Sequence, residues 1–64
     1  MTINGNEEDV ETGTSVSALI ARFNLQPKHV AVEINLELVP RSTFDATVIN
    51  EGDRIEIVTL VGGG

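Results

Sequence analysis

The residues with the clearest potential for chemistry are the three glycines that end the chain, Gly62, Gly63 and Gly64. Glycine inside a strand loses entropy and packs nothing, so a glycine run marks the place where a sheet ends. A backbone without side chains can enter a narrow slot, and an extended chain from Leu60 to Gly64 would span roughly 17 Å. The sequence therefore predicts a thin, mobile tail that carries the Gly64 carboxylate into another protein's active site. A frayed terminus or a cloning remnant would have the same composition.

Side chains that commonly catalyse reactions are scarce in this sequence. It contains a single histidine, His29, and no cysteine. His29 follows Lys28 without an acid, a nucleophile or a second ligand nearby, which is typical of a surface loop, and Ser15 and Ser17 lack a base. The acidic run at residues 7–11 has neither the ligand spacing nor the glycine of a calcium loop. We therefore expect no catalytic residue, no bound cofactor and no metal site.

The composition narrows the classes of partner. The 64 residues include ten acidic and four basic side chains, which gives a formal net charge of −6. This charge disfavours nucleic acids and anionic membranes as partners and favours a protein with a basic face, although acidity also serves solubility. Without a signal peptide or a long apolar stretch, a cytoplasmic protein of one domain is expected.

The first elements that must position the tail are a hairpin and a helix. Asn4 and Gly5 both tolerate positive φ and predict a tight turn, with Val10 as the apolar contact of a returning edge strand. Thr14 or Ser15 can cap the helix that follows. The helix is expected to end near residue 24, because a proline at residue 27 disfavours helical backbone just before it. Its apolar positions, spaced i, i+3, i+4 and i+7 on one face, are Val16, Leu19, Ile20 and Phe23.

A second hairpin and a loop come next. Residues 30–34 alternate between apolar and other side chains, and residues 36–39 form a shorter strand beyond a turn at Asn35. From residue 41 to residue 50 the alternation lapses, which indicates a loop with one helical turn around residues 42–45. Its core contacts are predicted to be Phe44 and either Val48 or Ile49.

The last strand is predicted at residues 54–60. Ile55 and Ile57 point to one face, whereas Val58 and Leu60 are out of step with them or on the opposite face. A strand that is apolar on both faces is usually central in its sheet.

The order of hairpin, helix, hairpin, loop and central strand predicts an α+β fold of the β-grasp class. One helix would cover one face of a small mixed sheet of four or five strands at residues 1–60, followed by a flexible tail at residues 61–64. The other face would be uncovered, so that Val58 and Leu60, with Leu36 or Leu38, form an exposed apolar patch beside the tail. Alternatively, the loop after residue 40 folds over this surface.

The whole chain resembles the ThiS family of ubiquitin-like sulfur carriers of thiamine biosynthesis. No single matching segment is specific, but their order over the full length is. The segments are Ile3-Asn4-Gly5, Ser15-Val16-Ser17-Ala18-Leu19-Ile20, Val30-Ala31-Val32-Glu33-Ile34-Asn35, Val39-Pro40-Arg41, Glu51-Gly52-Asp53-Arg54-Ile55-Glu56-Ile57-Val58 and Val61-Gly62-Gly63-Gly64.

This resemblance implies an activity carried by the Gly64 carboxylate. An E1-like adenylyltransferase of the ThiF type would use ATP and Mg²⁺ to form an acyl-adenylate on Gly64. Sulfur from a cysteine desulfurase or a related relay would displace AMP and leave a thiocarboxylate, which a thiazole synthase of the ThiG type would consume. The chain would be a monomeric substrate of the adenylating enzyme and not itself an enzyme.

The resemblance also implies which residues meet the partners. Gly62, Gly63 and Gly64 would thread into a partner's active site, where any larger residue at the last two positions should block entry. The predicted partner-binding surface consists of Val58, Leu60, Val61 and Arg41. Arg41 and Arg54 match family positions, and each could instead brace a turn.

Other functions fit the same features. The small subunit of molybdopterin synthase and carriers for tRNA thiolation or protein tagging share the fold and the glycine end. An adaptor that binds through its sheet and has an inert tail belongs to a different class. Deletion of Gly64 would abolish a carrier's activity and leave an adaptor's binding nearly unchanged.

Overall fold

The computed structural model describes residues 1–60, which form a five-stranded sheet and one α-helix. The spatial order of the strands is β2-β1-β5-β3-β4, with β1 and β5 parallel and the other pairs antiparallel. The predicted β-grasp fold, with its single helix and mixed sheet, is confirmed. In chain order the elements are β1 (Thr2–Ile3), β2 (Asn6–Glu7), α1 (Val16–Arg22), a short 3₁₀ helix (Pro27–His29), β3 (Val30–Ile34), β4 (Glu37–Val39), a second 3₁₀ helix (Arg41–Thr43) and β5 (Arg54–Thr59).

The first hairpin has the predicted turn but a shorter return strand. Asn4 and Gly5 have φ values of 51° and 81°, which is the backbone of a two-residue hairpin turn. The turn pairs Ile3 with Asn6 and Thr2 with Glu7, and β2 ends at Glu7. Val10 was predicted as the contact of the return strand; it lies instead in the following loop, partly buried against the core.

Helix α1 begins as predicted, but it ends at Arg22, two residues before the predicted end near residue 24. The Ser15 side chain accepts a hydrogen bond from the Ala18 N–H at 3.0 Å and so caps the first turn. The apolar face at Val16, Leu19 and Ile20 is fully buried. Phe23, the last position predicted on this face, directly follows the helix and borders the same cleft as Ile3 and Ile57; it is 37% exposed and so less buried than the other three.

The second hairpin turns at Asn35 and Leu36. Both residues have positive φ, at 53° and 72°, so Leu36 belongs to the turn and β4 starts one residue later than predicted. Asn35 makes two hydrogen bonds to the backbone of Arg54. Its N–H donates to the Arg54 carbonyl at 2.8 Å, and its side-chain oxygen accepts from the Arg54 N–H at 3.0 Å. Strand β3 has the predicted bounds.

The loop between β4 and β5 closes the helix side of the core. Phe44 and Ile49 are buried with the helix residues, as predicted, whereas Val48 remains exposed. The loop is attached to the start of α1, because the Val16 N–H donates to the Thr47 carbonyl at 2.9 Å. The loop therefore does not cover the other face of the sheet. In residues 1–60 we find no helix long and apolar enough to cross a membrane.

Candidate functional site

Strand β5 leads directly into the glycine tail, and its two faces differ in burial. Ile55 and Ile57 point into the core with 1% and 8% exposure, whereas Val58 and Leu60 are 56% and 47% exposed. The strand is central, between β1 and β3. The tail therefore starts from a strand that is anchored on both sides, and the predicted exposure of Val58 and Leu60 is confirmed.

The β3 side of β5 is paired up to the last described residue. The register sets Ala31 opposite Val58 and Val30 opposite Thr59. Beyond the strand, the Leu60 N–H donates to the His29 carbonyl at 2.7 Å. This rung fixes the backbone immediately before the tail.

The β1 side of β5 is held by a side chain. Strand β1 ends at Ile3, and the Asn4 amide takes the next position beside β5. The Asn4 Nδ2 donates to the Ile57 carbonyl at 3.1 Å, and the Ile57 N–H donates to Asn4 Oδ1 at 2.7 Å. The side-chain amide takes the place of a backbone amide and extends the hydrogen bonding between β1 and β5 by one residue. Sequence reasoning found the turn at Asn4 but missed this positioning role, because the contact joins residues that are 53 positions apart.

The uncovered side of the sheet carries the predicted apolar patch. Side chains alternate along each strand, so the pairing places Ala31 beside Val58, and Leu38 on the same face of the neighbouring strand. We call this side the open face and define it by Ala31, Glu33, Leu38, Arg54, Glu56, Val58 and Leu60. Leu38 is exposed there, and Leu36 is exposed in the turn that precedes β4.

Arg41 is both exposed and structurally engaged. Its Nε donates to the Pro27 carbonyl at 2.9 Å, and one terminal nitrogen donates to the Val30 carbonyl at 3.3 Å. These bonds brace the start of β3 beside the open face. The predicted contact of Arg41 with a partner stays a prediction, and its bracing role is visible in the structure.

His29 is an exposed residue of the 3₁₀ helix that precedes β3. Within residues 1–60, no group of three or more His, Cys, Asp or Glu side chains could hold a metal ion. The remaining predicted site residues, Val61, Gly62, Gly63 and Gly64, lie outside the described residues.

Comparison with known proteins assigns the family. The model of the ThiS family matches residues 1–64. The chain belongs to the ThiS family. Its fold resembles the crystal structure of the thiamine biosynthesis protein ThiS from Geobacter metallireducens, with a TM-score of 0.82 and 35% sequence identity; the alignment covers 98% of this chain and 96% of that one. The sulfur carrier protein ThiS of Bacillus subtilis is 39% identical over 54 residues, which are 84% of this chain and 80% of that protein.

A second kind of relative is much longer than this ThiS-family chain. The thiazole synthase of Paramagnetospirillum magneticum is 41% identical over 64 residues, which are 100% of this chain and 20% of that protein. The chain thus spans about a fifth of the length of this enzyme. A segment similar to this chain therefore occurs within a longer thiazole synthase polypeptide.

Proposed function

We propose that the chain is a sulfur carrier of thiamine biosynthesis and that the carboxylate of Gly64 is the functional group that receives the sulfur. The observation that carries the proposal is the ThiS family match over residues 1–64, which includes the glycine end. The position of the central strand β5 supports the proposal, because only Leu60 and Val61 separate its last residue, Thr59, from Gly62 in the sequence. The proposal requires Gly64 to carry a free carboxylate.

The loading chemistry follows from the carboxylate itself. A carboxylate is resonance-stabilised and has no good leaving group, so sulfur cannot replace its oxygen directly. We propose that an E1-like enzyme activates the Gly64 carboxylate with Mg-ATP, which forms the acyl-adenylate and releases pyrophosphate. A persulfide of a desulfurase or a related relay protein then displaces AMP, and a thiol cleaves the resulting sulfur–sulfur bond to leave the thiocarboxylate. The carrier supplies the acyl group, and its partners supply the catalytic residues.

We propose thiazole synthase as the consumer of the sulfur. The support is the segment similar to this chain in the thiazole synthases of Paramagnetospirillum magneticum and Magnetococcus marinus, at 41% and 40% identity. Two domains carried on one polypeptide have a high effective concentration for each other, which suits a donor and its acceptor.

The open face offers the contact surface for such a partner. Val58 and Leu60 are exposed; Val58 lies on β5, and Leu60 directly follows the last residue of that strand. We propose that they bind the partner together with Val61 and Arg41, while Gly62, Gly63 and Gly64 enter its active site. Apolar contacts at the base of the tail would fix the direction in which it enters.

The test is a reconstitution with purified proteins. The chain is incubated with the E1-like enzyme of the same genome, Mg-ATP, a desulfurase and cysteine, and its intact mass is measured before and after thiazole synthase is added with its substrates. The wild-type chain should gain the mass of one oxygen-to-sulfur exchange and lose it again as thiazole forms.

Two variants serve as controls for this reconstitution. Deletion of Gly64 and addition of one residue after Gly64 both change the position of the terminal carboxylate, and neither alters a residue of the described fold. Neither variant should be loaded, although both should unfold at the same urea concentration as the wild type. Loading of the deletion variant, or a wild-type chain that remains unloaded with every component present, would contradict the proposal.

A further inference from the structure

Two carboxylates stand directly opposite each other on the open face. The register pairs Glu33 of β3 with Glu56 of β5, and both side chains are exposed. Since Asn35 and Leu60 donate across the same pair of strands, Glu33 and Glu56 occupy a hydrogen-bonded position. At such a position the Cα atoms are about 5.5 Å apart. Like charges directly opposite each other destabilise a sheet, so folding alone does not account for this pair.

Arg54, a cation on the same face, forms no ion pair with either carboxylate. Arg54 shares the open face and lies two residues before Glu56, diagonal to Glu33. The ion pair found among the described residues joins the amino group of Met1 to Glu7, at 3.5 Å, and does not involve Arg54. The two carboxylates are therefore exposed and form no ion pair within residues 1–60.

Apolar side chains border the carboxylates. Leu38 stands opposite Glu33 on β4, and Val58 follows Glu56 by two residues on the same face. Both Leu38 and Val58 are exposed. A long cationic side chain fits this arrangement, because its methylenes can cover apolar neighbours while its charged end reaches the carboxylates.

We propose that the open face docks on thiazole synthase and that an arginine or lysine of that enzyme lies between Glu33 and Glu56. The inference rests on the proposed carrier function and adds the polar determinant of the docking surface. The carboxylate pair selects a partner surface that is apolar in its centre and cationic at one side. A second copy of this chain fits less well, because it presents the same carboxylates and carries a net charge of −6.

The experiment compares two double variants of the whole chain with equal net charge. E33Q/E56Q removes both carboxylates of the pair. E37Q/E51Q removes two exposed carboxylates away from the open face, since Glu37 lies on the opposite face of β4 from Leu38 and Glu51 lies in the turn before β5. The affinity of each chain for thiazole synthase of the same genome is measured by calorimetry at low and high salt, and each Tm is recorded.

The inference predicts opposite effects of E33Q/E56Q on binding and on folding. Affinity at low salt should fall about tenfold and depend less on salt, because an interfacial charge pair is lost. Tm should rise by about 1–5 °C, because the repulsion across β3 and β5 is relieved. E37Q/E51Q should bind within about twofold of the wild type.

Several results would overturn the inference. These are unchanged affinity of E33Q/E56Q, an equal loss in E37Q/E51Q, a lower Tm, or a wild-type chain that does not bind thiazole synthase. A glutamate effect seen only with the adenylating enzyme would overturn the choice of partner. The intact mass after loading reports separately on the carrier function, since a chain that is never loaded can still bind, and a loaded chain can fail to bind.

Discussion

The two faces of the sheet are built from the same strands but have different environments. On the helix side, Ile55 and Ile57 pack with the helix residues into one buried cluster. On the open face, Val58 and Leu60 remain exposed, next to a pair of opposed carboxylates. A strand with apolar residues on both faces normally lies between two layers. Here the second layer is absent from residues 1–60, which is the physical reason for assigning the open face to a partner.

The largest expected difference between the faces is the free energy of unfolding. Leu19→Ala removes a fully buried side chain of the helix and should lower the free energy of unfolding by about 2–5 kcal/mol, because it leaves a cavity. Leu38→Ala on the open face should change it by about 0.5 kcal/mol or less. Urea unfolding followed by circular dichroism measures both values. Equal losses would mean that the open face is part of the folding core.

A smaller effect is expected at Asn4, whose side-chain amide bonds to the backbone of β5. Asn4→Gly keeps a residue that accepts positive φ but leaves the Ile57 N–H and carbonyl without their partners. We expect a loss of about 1–2 kcal/mol in the free energy of unfolding.

Asn24→Gly is the matched control for this substitution. Asn24 also has positive φ, at 60°, and its side chain makes no hydrogen bond to the described residues. Its replacement should be nearly neutral in the same urea experiment. If the two substitutions have the same effect, the Asn4 amide does not hold β5.

The smallest effect on folding, and a clear effect on binding, is expected at Val58. Val58→Ser should alter the free energy of unfolding by about 0.5 kcal/mol or less, because the side chain is exposed. Its affinity for thiazole synthase should fall several-fold, since an apolar contact at the base of the tail is lost. Val48→Ser changes an exposed valine of the loop and should leave the affinity unchanged. A Val58→Ser chain with wild-type affinity would refute the contact.

Local patterns predicted most of the fold. The alternation of residues 30–34 predicted β3 with its observed bounds, and the helical spacing predicted the buried face of Leu19 and Ile20. Phe23 is less buried than the other three positions of this spacing, and the helix ends one residue before it, at Arg22. The chain turns at Asn24, where φ is positive, so the helical spacing does not continue beyond Phe23.

The candidate site was predicted in part. The exposure of Val58 and Leu60 follows from strand alternation and the presence of one helix, both of which are readable in the sequence. The hydrogen bonds between the Asn4 amide and Ile57, and the position of Glu33 opposite Glu56, depend on which strands are neighbours and on their register. Those are long-range properties that no local pattern contains. The assignments to Val61, Gly62, Gly63 and Gly64 stay predictions.

The most direct test of the account is mass spectrometry of the last peptide of the protein isolated from its own cells. The peptide that contains Val61 and Gly64 is sequenced by fragmentation, and the position of any sulfur is read from the fragment masses. The account predicts that Gly64 is the last residue and that a fraction of it carries a thiocarboxylate. A peptide that continues beyond Gly64, or one that carries no sulfur when thiamine synthesis is active, would contradict it.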